Sequence, residues 1–306
     1  MQIGIVGLGR MGGNMARRLA RGGVEVIGFD ADAKASSALA GEGVLEAAPS
    51  IVALAHRLAA PRIVWLMVPA GRVTELSVGD LWPELARGDL IVDGGNANYK
   101  DSVRRGAALA AAGLRFVDCG VSGGVWGLDN GYALMFGGDD AAAAMIEPYA
   151  KILAPAPDAG WLHCGPCGSG HFVKMIHNGI EYGMMQAYAE GIALLKGKAE
   201  FGIDVAAVAE TWRHGSVVRS WLLDLVAEFL GRDADLAEIA PVVADSGEGR
   251  WTALEAIEQG VPAPVMSLAL MMRFASQGKS DYADKLLAMM RKGFGGHAVA
   301  TRDAKP

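Results

Sequence analysis

The residues Gly7-Leu8-Gly9-Arg10-Met11-Gly12 stand between an apolar run, Ile3-Gly4-Ile5-Val6, and a segment of helical character, Asn14 to Ala20. The order strand, glycine turn, helix leaves few folds open. The first glycine suits a tight turn, the second lets backbone approach a ligand, and the third lets helix and strand pack closely. Unpaired N–H groups at the start of such a helix, with the helix dipole behind them, favour an anion such as pyrophosphate. A second strand, Val24 to Phe29, ends in Asp30. A carboxylate there accepts hydrogen bonds from the adenosine ribose hydroxyls and repels a 2′-phosphate. No Arg follows at 31 to 33. The expectation is a dinucleotide-binding α/β domain that takes NAD, with NADP disfavoured by Asp30.

Strand and helix patterns keep alternating to about residue 165, as in a Rossmann-type doubly wound sheet. Arg62 to Met67 reads as a strand that ends at Val68-Pro69-Ala70-Gly71. Leu90 to Asp93 closes on Gly94-Gly95-Asn96, and Arg115 to Cys119 leads into Gly120-Val121-Ser122-Gly123-Gly124. Loops at the carboxyl ends of parallel strands line the ligand crevice, so all three are expected near the nicotinamide. Beyond residue 168 helical periods dominate. Start signals fall at Asp204, Ser216, Pro262 and Ser280, and stop signals at Gly231, Gly260 and Gly293. The expected division is an NAD-binding domain over 1–167 and an all-α domain over 168–306.

Composition removes several function classes. The 306 residues are 52% hydrophobic and only 20% charged, which suits a well-buried globular chain and not a disordered one. A net charge of −6 without any Lys/Arg run argues against a nucleic-acid surface. Apolar runs stop short of bilayer length, and the N-terminus lacks the pattern of a signal peptide, so a cytoplasmic protein is expected. Three cysteines do not make a disulfide framework. Cys164-Gly165-Pro166-Cys167 matches the redox C-x-x-C spacing, but glycines follow it and the helix starts only afterwards, so a plain loop is expected. No second Cys/His pair stands at zinc-ligand spacing, and no metal is expected.

The stretch Gly168 to Tyr182 reads GSGHFVKMIHNGIEY. Lys174, His177, Asn178, Glu181 and Tyr182 fall at i, i+3, i+4, i+7 and i+8 and share one helix face. Val173, Ile176, Ile180 and Met184 line much of the other side and are expected to pack on a core. Solvated helix stripes are usually repeated Glu and Lys. One amine, one carboxylate, an imidazole, an amide and a phenol look instead like a site that moves protons and holds a polyhydroxylated substrate.

These motifs together resemble the decarboxylating 6-phosphogluconate dehydrogenase family, over essentially the whole chain. The resemblance rests on the glycine fingerprint, Asp93-Gly94-Gly95-Asn96, Gly120-Val121-Ser122-Gly123-Gly124 and Gly170 to Tyr182. The last block is the most specific, because the broader β-hydroxyacid dehydrogenases share its Lys and Asn but not the His-Asn-Gly-Ile-Glu-Tyr run. The chain is too short for the long form, whose helical domain is roughly doubled, and is similar to the short, often NAD-preferring form.

The resemblance implies a role for each matching residue. Lys174 would be the general base on the substrate 3-hydroxyl, which requires that desolvation or nearby positive charge lower its pKa. Glu181 would protonate C1 of the enediol left after CO2 departs. Asn96, Ser122, Gly123, Gly124, His177 and Asn178 would hold the carboxylate and hydroxyls. Gly7, Leu8, Gly9, Arg10, Met11, Gly12, Asp30, Val68, Pro69 and Asn96 would hold NAD. Tyr182 and Arg219 would contact the phosphate, and Arg291 and His297 would reach it from a neighbouring subunit of a homodimer or homotetramer.

Two departures accompany the match. In Ser246-Gly247-Glu248-Gly249-Arg250-Trp251-Thr252, Ser246 takes the place of a phosphate-site lysine, leaving one charge missing unless Arg250 supplies it. Val68-Pro69-Ala70 stands where the long form has a lysine near the cofactor. The implied reaction is oxidative decarboxylation of 6-phosphogluconate to ribulose 5-phosphate. The alternatives are a β-hydroxyacid dehydrogenase acting on a small unphosphorylated 3-hydroxy acid, and a non-catalytic NAD-sensing protein.

Overall fold

The computed structural model describes residues 1–295 and 298–299. The elements begin with β1 (Gln2–Val6), α1 (Arg10–Arg21), β2 (Glu25–Phe29), α2 (Ala33–Gly41), β3 (Glu46–Ala47), α3 (Ile51–Arg57), β4 (Ile63–Leu66) and α4 (Arg72–Leu81). They continue with β5 (Leu90–Asp93), α5 (Tyr99–Ala111), β6 (Arg115–Ser122), α6 (Gly127–Asn130), β7 (Ala133–Gly137), α7 (Asp140–Leu153) and β8 (Trp161–Gly165). Helices follow: α8 (Ser169–Gly197), α9 (Val205–Arg213), α10 (Trp221–Arg232), α11 (Glu248–Gln259), α12 (Pro264–Ser276) and α13 (Asp281–Gly295).

The eight strands form one sheet in the order β3-β2-β1-β4-β5-β6-β7-β8. Strands β1 to β6 pair in parallel, and the order reverses on either side of β1, so the crevice opens beyond the carboxyl ends of β1 and β4. The far edge departs from the doubly wound expectation, because β7 runs antiparallel to β6 and β8 parallel to β7. Alternation sorts the core onto two faces. Ile3, Ile5, Trp65, Val92 and Val117 face one cluster with Met15 and Leu19 of α1 and Ile146 and Leu153 of α7. Val6, Val64, Leu66, Ile91 and Phe116 face the other with Leu54 of α3, Leu81 of α4 and Leu109 of α5.

The chain separates into two compact units, Met1–Ile176 and His177–Pro306, so the division falls inside α8. In the second unit several boundary signals hold. Asp204 caps α9 by accepting from the N–H groups of Ala206 and Ala207, and Gly260 ends α11 in the left-handed region at φ 67°. Others move. Ser216 bonds back to the Trp212 carbonyl, and Ser220 is the residue that caps α10, accepting from the Leu223 N–H. Gly231 lies inside α10, and Gly293 inside α13. Among the described residues no helix is long and apolar enough to cross a membrane.

The expected orientation of α8 is overturned. Val173, Ile180 and Met184 are exposed and Ile176 is half-buried, whereas Lys174, Asn178 and Tyr182 are buried at 9%, 8% and 5%. Glycine explains the reversal: a methyl at Gly179 would press on Thr252 of α11 and Met266 of α12, and one at Gly183 on Val265. The helix packs through its glycines and its polar stripe, and turns the aliphatic side outward.

Beneath the sheet crevice, Arg105 of α5 donates from Nη1 to Asp93 Oδ2 at 2.8 Å and from Nε to Glu75 Oε1 at 3.0 Å. Both Arg105 and Asp93 are buried, and Asp93 Oδ1 accepts the Gly95 N–H at 3.1 Å. Removing one member leaves an uncompensated buried charge. The expected outcome for Arg105→Leu is a loss of about 3–5 kcal/mol in urea unfolding, with part recovered in the Asp93→Asn/Arg105→Leu double variant. An unchanged midpoint in the single variant would remove the pair from the account.

Candidate active site

The glycine turn fits a dinucleotide. Gly7 has φ 90°, and a side chain on it would strike the Met67 carbonyl. A methyl on Gly12 would overlap the Gly7 carbonyl oxygen, so this glycine lets α1 come down onto β1. A methyl on Gly9 would meet nothing within 4 Å, and Gly9 caps α1 without any side-chain hydrogen bond. The first N–H groups of α1 are therefore left to a ligand anion. Asp30 Oδ2 accepts the Leu8 N–H at 2.6 Å and Oδ1 the Asp32 N–H at 2.8 Å. These bonds tie the carboxylate to the turn while leaving lone pairs for ribose hydroxyls. Arg10 and Pro69 are exposed, and Met11 and Val68 are half-buried.

At the ends of β5 and β6 the remaining sequence-derived residues take defined places. A methyl at Gly94 would collide with the Trp65 indole, and one at Gly95 with the Val68 carbonyl. Asn96 follows this packed pair and is exposed. Gly120 to Ser122 belong to β6 and not to a loop, because β7 pairs antiparallel with them and extends the strand. The chain turns only at Gly123 and Gly124, at φ 132° and 54°.

The first turns of α8 sit on β6 and β7. A methyl on Gly170 would strike the Asp118 and Met135 carbonyls, and one on Gly120 would overlap Cβ of Lys174. The aliphatic stem of Lys174 thus lies directly on β6, and the residue is 9% exposed. Asp118 fastens the helix start, accepting the Gly168 N–H at 2.6 Å and the His171 N–H at 2.7 Å. Burial raises the Asp118 carboxyl above its ordinary range in spite of His171 and those two donors. His171 is buried and its Nδ1 pairs with Ser102 Oγ at 2.7 Å.

In the second unit, His177 Nδ1 lies 3.1 Å from Asn178 Oδ1 and 3.8 Å from Glu181 Oε2. Glu181 is half-exposed, at 40% of its side chain. The Tyr182 hydroxyl lies 3.4 Å from Ser246 Oγ, and the Arg273 guanidinium stacks 3.5 Å from the Tyr182 ring centroid. A methyl on Gly249 would press into that same ring. Arg250, the sequence candidate for the missing cation, is ion-paired with Asp245 and stacked on Phe274.

Arg273 was not found by sequence reasoning. It is the only charged residue of α12, PVMSLALMMRFAS, and a lone cation on so apolar a helix was the available signal. Arg219 is exposed in the α9–α10 connection, which Tyr188 of α8 holds through the Val218 carbonyl and Ser220 Oγ. Arg291 is exposed on α13, and His297 lies outside the described residues.

The C-x-x-C pair has the character of packing thiols. Cys167 Sγ donates to the Ser102 carbonyl at 3.3 Å, and a methyl on Gly106 would press on it. Burial, with Asp118 adding to it, pushes the Cys167 thiol up to about 12, and burial also raises Cys164.

Comparison with known proteins agrees with this geometry. Residues 2–160 match the family model for the NAD binding domain of 6-phosphogluconate dehydrogenase, and residues 170–303 that for the C-terminal domain of 6-phosphogluconate dehydrogenase. A Haloferax volcanii protein named NAD(+)-dependent, decarboxylating 6-phosphogluconate dehydrogenase is 43% identical, across 99% of this chain and 100% of its own. A Plasmodium falciparum 6-phosphogluconate dehydrogenase structure superposes with a TM-score of 0.84 at 28% identity, covering 100% of this chain and 67% of its own. A 3-hydroxyisobutyrate dehydrogenase from Salmonella typhimurium gives 0.76 at 25% identity, covering 91% of this chain and 95% of its own. The chain belongs to the 6-phosphogluconate dehydrogenase family, and its first unit is an NAD-binding domain.

The buried thiols allow a direct check on the C-x-x-C pair. At pH 7.5 iodoacetamide is expected to label Cys167 in the folded protein on the order of a thousandfold more slowly than free cysteine, and to label it rapidly after denaturation. Rapid labelling of the folded protein would restore a redox role for the pair.

Proposed function

We propose that this chain oxidises and decarboxylates 6-phosphogluconate to ribulose 5-phosphate and CO2, with NAD as the preferred oxidant. The observation that carries the reading is the series of groups along α8. Lys174 is buried against Gly120, His177, Asn178 and Glu181 lie within contact of one another, and Tyr182 is flanked by Ser246 and Arg273. A small unphosphorylated acid would leave Arg273, Ser246 and Tyr182 without a task. An NAD sensor would need neither Lys174 nor Glu181.

In this reading the Lys174 amine takes the proton of the 3-hydroxyl as C3 becomes a carbonyl. The step requires a neutral amine at Lys174. NAD, when bound by the glycine turn and Asp30, supplies the acceptor for the hydride that leaves C3. The 3-keto acid sheds CO2 because the carbonyl takes up the electrons of the C1–C2 bond, and the Lys174 ammonium steadies the enolate oxygen. Glu181, half-exposed, then protonates the carbon that CO2 has left, which is C1 of the ribulose 5-phosphate product. Asn96, Ser122, Gly123, Gly124, His177 and Asn178 hold the carboxylate and hydroxyls, and Tyr182 with Arg273 and Arg219 holds the phosphate.

NAD preference follows from the fixed charge of Asp30, which opposes a 2′-phosphate. A homodimer or homotetramer with Arg291 and His297 acting in trans is supported by α13, where Leu286, Leu287, Met289 and Met290 are all about half exposed. Mixing inactive Lys174→Ala and Arg291→Ala proteins is expected to regain activity that neither has alone.

Initial rates with 6-phosphogluconate test the reaction. Reduction of NAD with an equal amount of trapped CO2 is expected, at a higher kcat/KM than with NADP. Oxidation without CO2 would favour the unphosphorylated acids, and faster NADP reduction would remove the role given to Asp30. Lys174→Ala is expected to lose about 10²–10⁴-fold in kcat while binding NAD as the parent does. Parent-like turnover would move the base elsewhere.

A further inference from the structure

A run of nine residues, Gly123 to Gly131, follows the end of β6 and contains four glycines. Three of them, Gly123, Gly124 and Gly131, take φ values of 132°, 54° and 82°, which side chains rarely adopt. Glycine allows the turn its path but does not hold it there, because backbone freedom is largest where Cβ is missing. The two large side chains give little purchase, since Val125 and Trp126 are each 48% exposed. The turn is held from α1 instead.

Asn14, Arg18 and Arg21 stand at i, i+4 and i+7 on α1 and share one face. Asn14 Nδ2 donates to the Val125 carbonyl at 3.3 Å, and Arg17 Nη1 donates to Asn14 Oδ1 at 3.1 Å, which sets the way the amide points. Arg18 reaches further along the turn. Its Nη1 donates to the Leu128 carbonyl at 3.2 Å and to that of Asp129 at 3.5 Å. The same guanidinium donates from Nε to the Ile152 carbonyl at 2.9 Å and from Nη2 to that of Ala154 at 2.6 Å, at the end of α7. Carbonyls at a helix end lack partners within the helix and favour a cation. Arg21 adds only an exposed ion pair with Asp129 at 3.7 Å, which contributes little. A planar fork with donors in fixed directions joins two separate chain segments in this way, and a lysine ammonium does not.

The helix that holds the turn also begins at the glycine fingerprint, where its first N–H groups are open to the pyrophosphate. One rigid element thus bears the cofactor at its start and fixes the Gly123-Gly124 turn along its side. All of these residues belong to the first unit.

We propose that Arg18, with Asn14, is a positioning residue: it sets the Gly123-Gly124 turn against α1, and so the substrate carbon against the nicotinamide. Its guanidinium acts through backbone carbonyls of the turn. The proposal rests on the reading of Gly123 and Gly124 as substrate contacts. Misplacing a reacting pair by about 1 Å costs up to about 10²-fold in rate.

Arg18→Met keeps most of the stem and removes the fork. Its kcat is expected to fall about 10- to 100-fold and its KM for 6-phosphogluconate to rise, while the Kd for NAD, measured by calorimetry, stays at the parent value. Arg18→Lys is expected to fall between the two. Asn14→Ala removes one hydrogen bond and no charge, and is expected to move kcat and KM in the same directions by less, which keeps the test open where Arg18→Met does not fold. Hydrogen exchange reads the turn itself. The Gly131 N–H, which donates to the Gly127 carbonyl at 3.0 Å, is expected to exchange about tenfold or more faster in Arg18→Met, while the Gly13 N–H of α1 keeps its parent rate. Lost stability alone would lower the amount of active enzyme, and hence kcat, but would leave KM unchanged and would speed both amides together. Parent values of KM in these variants, or equal acceleration of the two amides, overturns the inference and leaves the reaction standing. A parent protein that does not turn over 6-phosphogluconate overturns the reaction, and selective loosening of Gly131 in Arg18→Met then still upholds the role of Arg18 in placing the turn.

Discussion

The site depends on one close approach, the first turns of α8 lying directly on β6 and β7. Gly120, Gly137 and Gly170 make room, since a methyl at any of them would run into backbone, the Asp118 carboxylate or the Lys174 stem. Asp118 then takes the N–H groups of Gly168 and His171, which fixes where the helix starts and how it is rotated. Rotation decides burial. With this setting Lys174 meets β6 and is almost wholly removed from water. Small residues carry the arrangement because helix and strand must come nearer than any Cβ allows.

A second consequence runs along the same helix. By packing through Gly179 and Gly183, α8 turns the Asn178 and Tyr182 side inward toward α11 and α12 and leaves Val173, Ile180 and Met184 outside. An aliphatic helix face left exposed, together with the unburied leucines and methionines of α13, is apolar surface of the kind subunits bury in one another. The polar stripe, in turn, forms its partnerships within the second unit. Tyr182 gains a stacked guanidinium and a hydroxyl, and through that hydroxyl it is linked to a buried carboxylate.

The buried ion pair of Asp93 and Arg105 serves β5, the strand next to β6. Asp93 ends β5 and also holds the Gly95 N–H, so the turn that presents Asn96 is braced from below by a charge on α5. Gly94 and Gly95 let this turn lie against Trp65 and the Val68 carbonyl. The strand-end loops of β4 and β5 are thereby set against each other through backbone and small residues. That leaves their side chains free to face a ligand.

Much of this was legible in the sequence. Glycine spacing after a short apolar strand, with Asp30 closing the next, determined the turn, the order of β1, α1 and β2, and the cofactor class, because those constraints are local in the chain. The five polar groups of α8 shared a face by helical period alone. What the sequence could not decide was which way that face points, since amphipathic pattern assumes that apolar side chains pack inward and here glycines do the packing. Nor could it decide the pairing of β7 against β6, which turned an expected loop at Gly120 to Ser122 into strand. Arg273 and Glu248 lie far along the chain from Tyr182, and only the folding of α11 and α12 onto α8 brings a cation and a carboxylate to the same phenol. Local chemistry set the parts, and tertiary packing set which of them meet.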